Sequence, residues 1–169
     1  MIASGRDSIY RGRLIELGLE TEVLPNGATI ELEIVRHPGG AVVLALDEAD
    51  RVCLLRQYRH VAEDWIWELP AGVIEVGEDP LETAQRELRE EAGLVAAQWR
   101  ELGTMLPSPG FCSEELFLYQ AGDLSQVGAD TQPDEQIEVH WCTLEQVKAM
   151  ALDGRSRDAK TLVALYRLG

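Results

Sequence analysis

The sequence predicts a mixed α/β domain. Strand-like apolar runs come in clusters, a long amphipathic helix separates two of those clusters, and strands and helices do not alternate as a βαβ series would. With 169 residues and 46% apolar side chains, the chain is long enough for one well-buried core.

Each element has its own signal. Residues 8–37 alternate loosely: Thr29, Glu31 and Glu33 interleave with Ile30, Leu32 and Ile34, and Pro25-Asn26-Gly27 supplies a turn. This predicts antiparallel strands ended by His37-Pro38-Gly39-Gly40. The apolar runs 41–46 and 52–55 read as strands joined by a hairpin loop at Asp47-Glu48-Ala49-Asp50, and Leu69-Pro70-Ala71-Gly72 breaks the pattern. From Pro80 to Ala92 the spacing predicts a helix, with Asp79 as N-cap, Leu81, Ala84 and Leu88 on one face, and Gly93 closing it. Strands are expected at 94–99, 116–120 and 137–142. A helix capped by Thr143 and Gln146 should run to about Leu152, and a last helix from about Asp158 to Leu168.

Charge excludes some functions. Thirty acidic against fifteen basic residues give a net charge of −15 and a pI near 4.5. Such a surface repels nucleic acid, and a phosphorylated substrate would need metal ions or a local basic pocket. No apolar run approaches the length of a membrane helix, and residues 1–10 lack the apolar stretch of a secretory signal. Cys53, Cys112 and Cys142 form no CxxC pair; Cys53 and Cys142 read as core thiols, which fits a reducing cytoplasm.

Walker, GxGxxG, HExxH and GxSxG signatures are missing, and the three histidines are scattered. The chemistry-bearing feature is the acidic helix. Glu87 and Glu91 lie one turn apart on a shared face with Glu90 beside them, and like charges at that spacing repel. A hard divalent cation would relieve the repulsion; a solvated face with an Arg86–Glu90 pair is the bland alternative.

The surrounding residues decide between them. Gly72, Glu78, Arg86-Glu87-Leu88, Glu90-Glu91 and Gly93-Leu94 stand at the spacing GX5EX7REUXEEXGU, with U apolar. This resembles the Nudix box at every fixed position, a match expected by chance on the order of once in a million such chains. The resemblance implies the Nudix fold: an α/β/α sandwich with a mixed sheet, here residues 41–169, plus an N-terminal antiparallel strand segment, residues 1–40. It also implies hydrolysis of a nucleoside diphosphate linked to a further group. Glu87, Glu90 and Glu91 would bind Mg²⁺ or Mn²⁺, about two or three ions, Arg86 would orient them, and Glu78 would support the loop.

A second resemblance narrows the substrate. Pro107-Ser108-Pro109-Gly110-Phe111 with Glu114 looks like the downstream element of the ADP-ribose pyrophosphatase subgroup, with Pro109 sixteen residues after Gly93. Gln57-Tyr58-Arg59, Trp67-Glu68-Leu69-Pro70-Ala71-Gly72 and Asp158-Ala159-Lys160-Thr161 are similar to that group as well. The implied roles are the Ala71 carbonyl as metal ligand, Arg59 on the diphosphate, Glu114 lining the site, and Glu135 as metal ligand or general base. Pro133 departs from the pattern of some members, so Glu135 stays open between those two roles. Glu33 and Arg36 read either as nucleobase contacts or as an exposed strand face. Trp65 and Trp67 could stack on a base, though Trp67 reads better as core.

The resemblance further implies a homodimer exchanging N-terminal strands, acting on ADP-ribose or a related ADP-sugar. Other nucleoside diphosphate derivatives (a flavin or nicotinamide dinucleotide, GDP-mannose), a nucleoside triphosphate, and a non-catalytic Nudix-derived ligand sensor are the alternatives. An acidic metal buffer would need no ordered Gly72 and Arg86 spacing.

Overall fold

In the computed structural model, residues 5–129 and 136–169 are described. Strands β1 (Gly5–Arg11), β2 (Glu16–Val23) and β3 (Thr29–Arg36) form an antiparallel sheet, with the β2–β3 turn at the Pro25-Asn26-Gly27 signal. The chain then enters β4 (Gly40–Ala45), β5 (Arg51–Arg59), β6 (Asp64–Glu68), the short β7 (Ala71–Val73) and helix α1 (Pro80–Ala92). It continues through β8 (Leu94–Met105), β9 (Leu116–Gln126), β10 (Ile137–Thr143), α2 (Leu144–Leu152) and α3 (Ala159–Leu168).

Two further sheets result. One has the order β7-β4-β9-β8 and is mixed, because β4 runs parallel to β9 while β7 and β8 pair antiparallel. The other is antiparallel, β10-β5-β6. The loop at 47–50 does reverse the chain, with the Asp47 amide bonded to the Arg51 carbonyl at 3.0 Å. It does not join partners of one ladder. Beyond a single Leu46–Val52 bridge, β4 and β5 diverge into different sheets, because β7 and β9 already occupy both edges of β4.

Alternation along β4 explains the layering. Val42 and Leu44 face a cluster that includes Val147 and Met150 of α2 and Ala164 and Leu165 of α3. Ala41, Val43 and Ala45 face the other way, onto Ala84, Leu88 and Ala92 of α1. All five are fully buried, as a strand covered on both faces requires. Neither core cluster contains a residue before Ala41.

Strands β8 and β9 extend past their predicted ends at Trp99 and Gln120. They pair with each other from Leu94–Gln126 to Met105–Leu116, and that ladder carries polar residues that period alone would leave in loops. Cys53 is buried as expected, whereas Cys142 is half-buried at the edge of the core. Among the described residues, no helix is long and apolar enough to cross a membrane.

Candidate active site

Helix α1 begins where the sequence predicts. The Asp79 side chain accepts from Leu81 N–H, the Glu82 carboxylate accepts from Asp79 N–H, and Pro80 occupies the first turn. It ends at Gly93, whose φ of 68° is left-handed and whose position leaves no room for a side chain, since a Cβ would lie 2.6 Å from the Ala129 nitrogen. The buried stripe consists of Thr83, Ala84, Glu87, Leu88, Glu91 and Ala92. Two glutamates therefore share the face that packs on the sheet, at 8% and 3% exposure.

Each is held by the short strand β7. The Ala71 amide donates to Glu91 Oε2 at 2.8 Å. Gly72 leaves the space that the Glu87 carboxylate fills: a Cβ there would meet Glu87 Oε1 at 1.9 Å. Any side chain at position 72 would expel that carboxylate, which is the physical reason for glycine at the head of the motif. Strand β7 is itself aligned by pairing with β4, and the Pro70 carbonyl accepts from Val43 N–H at 2.8 Å.

Arg86 is the hub of the arrangement. Its Nε and Nη2 donate to Glu78 at 2.9 and 3.1 Å, its Nη2 also to the Val73 carbonyl at 3.1 Å, and its Nη1 to Glu87 Oε1 at 2.5 Å and Glu90 Oε2 at 3.4 Å. Glu78 also accepts from the Thr83 hydroxyl at 2.7 Å. The Arg86 guanidinium, helped by Thr83, holds the Glu78 carboxyl down at about 2. One cation is thus divided among the acids of the motif. An open groove of about 430 Å³ runs beside them, lined by Glu82, Gln85, Arg86, Arg89, Glu90 and Val95.

Behind Glu91 the surroundings are apolar. Burial, and then the charge of Glu91, push the Cys53 thiol up to about 12, so it stays protonated.

The donors suit a hard divalent cation. Two buried carboxylates, Glu87 and Glu91, are joined by Glu90 at the rim, and the Gly72 cradle keeps one of them in place. Among the described residues, no three Asp, Glu, His or Cys side chains are grouped so as to hold a metal ion by themselves. An open, oxygen-only set is how Mg²⁺ is usually held, with water and substrate phosphates completing the shell.

The other expected residues fall at varying distances from this centre. Arg59, at the end of β5, forms a two-pronged pair with Glu68 at 2.7 and 2.8 Å; Glu68, and more weakly Glu91, strengthen its hold on the proton. Glu114 lies on the loop after Pro107-Ser108-Pro109-Gly110, where its Oε1 is 3.7 Å from His37 Nδ1. That loop is tied to the end of β3, because Val35 donates to the Phe111 carbonyl at 2.7 Å and accepts from Ser113 at 2.9 Å. Glu33 is exposed on β3, and Arg36 is bonded to Glu20 within the N-terminal sheet. Trp67 packs on the core edge-on to His140, while Trp65 meets Tyr58 and the Arg56 guanidinium. Glu135, Asp134 and Pro133 lie outside the described residues.

Sequence reasoning missed one group. Glu68 is bound by Lys160 as well as Arg59, and Leu69 N–H donates to the Thr161 hydroxyl at 3.0 Å. The short stretches 67–72 and 158–161 stand out in the sequence, but nothing in their spacing says that they meet across some ninety residues.

Comparisons with known proteins agree with the geometry. The NUDIX domain profile matches residues 36–165. The chain is 38% identical over 164 residues to the methanol dehydrogenase activator of Bacillus methanolicus, covering 96% of this chain and 89% of that one. It is 36% identical over 165 residues to the ADP-ribose pyrophosphatase of Bacillus subtilis (strain 168), with the same coverage of 96% and 89%. It is 33% identical over 151 residues to the ADP-ribose pyrophosphatase of Mycobacterium tuberculosis, covering 88% and 73%. The crystal structure of an ADP compounds hydrolase superposes with a TM-score of 0.82 at 23% identity, covering 97% and 89%, which shows a shared fold.

Proposed function

This chain belongs to the NUDIX domain family, and we propose that it hydrolyses the diphosphate of ADP-ribose or a related ADP-sugar to AMP and a sugar phosphate. The observation that carries the proposal is the pair of buried carboxylates, Glu87 and Glu91, fixed by the Gly72 cradle, the Ala71 amide and Arg86. Nudix hydrolases generally use divalent metal ions. Bound here, Mg²⁺ or Mn²⁺, as about two or three ions, would polarise the phosphoryl oxygens and acidify a water.

The protein supplies the rest. Glu87, Glu90 and Glu91, with the Ala71 carbonyl, would hold the ions. Arg86 keeps the glutamates in place, and Arg59 binds a diphosphate oxygen. Glu135 acts as a metal ligand or as the base that takes the proton of the attacking water. Glu114 lines the site. Glu33 and Arg36 touch the nucleobase from an N-terminal segment, residues 1–40, exchanged within a homodimer. The reaction belongs to the cytoplasm.

Release of the nucleoside monophosphate (AMP, or GMP from GDP-mannose) should be measured on ADP-ribose, ADP-sugars, GDP-mannose, dinucleotides and nucleoside triphosphates, with Mg²⁺ and with Mn²⁺. ADP-ribose or an ADP-sugar should give the highest kcat/KM, and chelation should abolish turnover. Preference for another member of the panel moves the substrate assignment; tight binding without turnover leaves a ligand sensor. Glu135→Gln should lower kcat about ten- to ten-thousandfold with little change in KM, and Asp134→Asn should be mild. The reverse order would make Asp134 the working residue.

A further inference from the structure

The segment entering β7 is held from several parts of the chain. Glu68 is 3% exposed and bound by Arg59 and Lys160. Leu69 N–H donates to Thr161 Oγ1 at 3.0 Å. The Pro70 carbonyl accepts from Val43, and the Ala71 amide donates to Glu91. Thr161 is fully buried, one turn into α3, and its single hydroxyl works in both directions. It donates to Asp158 Oδ2 at 2.6 Å and accepts from Leu69. Asp158 caps α3 through the Thr161 amide at 3.1 Å, and its other oxygen accepts from Lys160 at 3.0 Å.

We propose that Thr161, oriented by Asp158, is a positioning residue for the Leu69–Ala71 segment and, through the Ala71 amide, for the Glu91 carboxylate. The role rests on the hydrolase reading for its purpose, though not for its geometry. The Asp158 carboxylate takes the hydroxyl proton and so leaves the Thr161 lone pairs for Leu69 N–H, strengthening that bond in a low-dielectric interior. Pro70 stands between the two amides with a fixed φ, which leaves little slack between Leu69 and Ala71. Removing the hydroxyl strands a buried N–H, and the segment must shift to satisfy it. That shift draws the Ala71 amide away from Glu91. Outer partners of this kind typically alter metal affinity by about ten- to a hundredfold.

The experiment compares full-length wild type with Thr161→Val, which keeps the shape, and Thr161→Ser, which keeps the hydroxyl. Two readouts are taken on substrate-free protein: hydrogen exchange of the Ala71 amide, and Mn²⁺ titration followed by electron paramagnetic resonance. Thr161→Val should speed Ala71 exchange and weaken Mn²⁺ binding by about tenfold or more, and Thr161→Ser should stay close to wild type. Ala164 and Leu165 amides report on the docking of α3 and should hold in both. If Thr161→Val keeps Ala71 protection and Mn²⁺ affinity, or loosens only the α3 amides, Thr161 merely anchors the helix and the proposal is overturned. Should Thr161→Val not fold, Asp158→Asn, which retains a capping side chain, takes its place: faster Ala71 exchange supports the role, and unchanged exchange overturns it. A wild type that neither binds Mn²⁺ nor releases AMP defeats the hydrolase reading instead, and Ala71 exchange then decides the positioning role alone.

Discussion

Glu20 and Glu91 are buried to nearly the same depth, at 6% and 3% exposure, yet the two carboxylates are answered in opposite ways. Glu20, in the N-terminal sheet, is gripped by the guanidinium groups of Arg6 and Arg36 on the neighbouring strands. Its charge is balanced on the spot, so it acts as a strut. Glu91 is met by the Ala71 amide on a helix that also carries Glu87 and Glu90, and Arg86 is shared among Glu78, Glu87 and Glu90. On this helix one guanidinium is divided among three carboxylates, whereas two guanidinium groups converge on Glu20, and a cluster of acids sharing one cation suits an added metal ion. Burial alone does not mark a functional carboxylate; the source of its counter-charge does.

The largest expected effect tests that contrast directly. Glu91→Gln retains an oxygen for the Ala71 amide and loses the charge, so turnover should fall at least about a hundredfold while the urea unfolding midpoint barely moves. Glu20→Gln should leave kcat near normal, act on substrate only by raising KM through the released Arg36, and loosen residues 5–36, seen as faster limited proteolysis. Equal losses of turnover in the two variants would break the contrast and make the N-terminal sheet part of the chemistry.

The same two regions differ in what covers them. Two core clusters lie in the body of the protein, and neither draws on β1, β2 or β3, where Ile9, Tyr10 and Val23 are each more than half exposed. A small sheet that adds no residue to the core clusters is marginal by itself, and exposed apolar groups of this kind mark a contact surface. Light scattering at micromolar concentration should report about twice 18.8 kDa. Ile9→Lys should shift the mass toward one chain. A monomeric wild type with full activity would show that the sheet stands on its own.

Helix α1 was readable in the sequence to the residue, because its caps, its apolar stripe and its motif are all local. The alternation of β3 was readable for the same reason. The allocation of strands to sheets was not: whether β5 pairs with β4 depends on β7 and β9 reaching β4 first, and no local pattern states that. In the site, the positions of Gly72, Glu78 and Arg86 stood out by their motif spacing, their suggested roles came from the family resemblance alone, and the structure supplies a reason for the glycine. The bond from Leu69 to Thr161 and the clasp on Glu20 are long-range pairings of ordinary residues, invisible before the chain is folded.

The smallest expected effect concerns Glu78, the acid of the motif that serves structure. Its carboxylate accepts from Arg86 twice and from Thr83, and its pKa falls from 4.5 to about 2. A folded-state pKa below the unfolded one stabilises the protein fully above about 4.5, and the contribution fades as pH drops toward 2. Glu78→Gln cannot titrate there. The gap in urea midpoint between wild type and Glu78→Gln should therefore be constant from pH 7 to about 5 and narrow at pH 4 and again at pH 3. The effect is modest because the pair is partly solvated at the mouth of the loop. A gap unchanged at pH 3 would mean that Glu78 works through hydrogen bonds that survive protonation. Arg86 would then have charge to spare for Glu87 and Glu90, and its division among three carboxylates would matter less than the geometry implies.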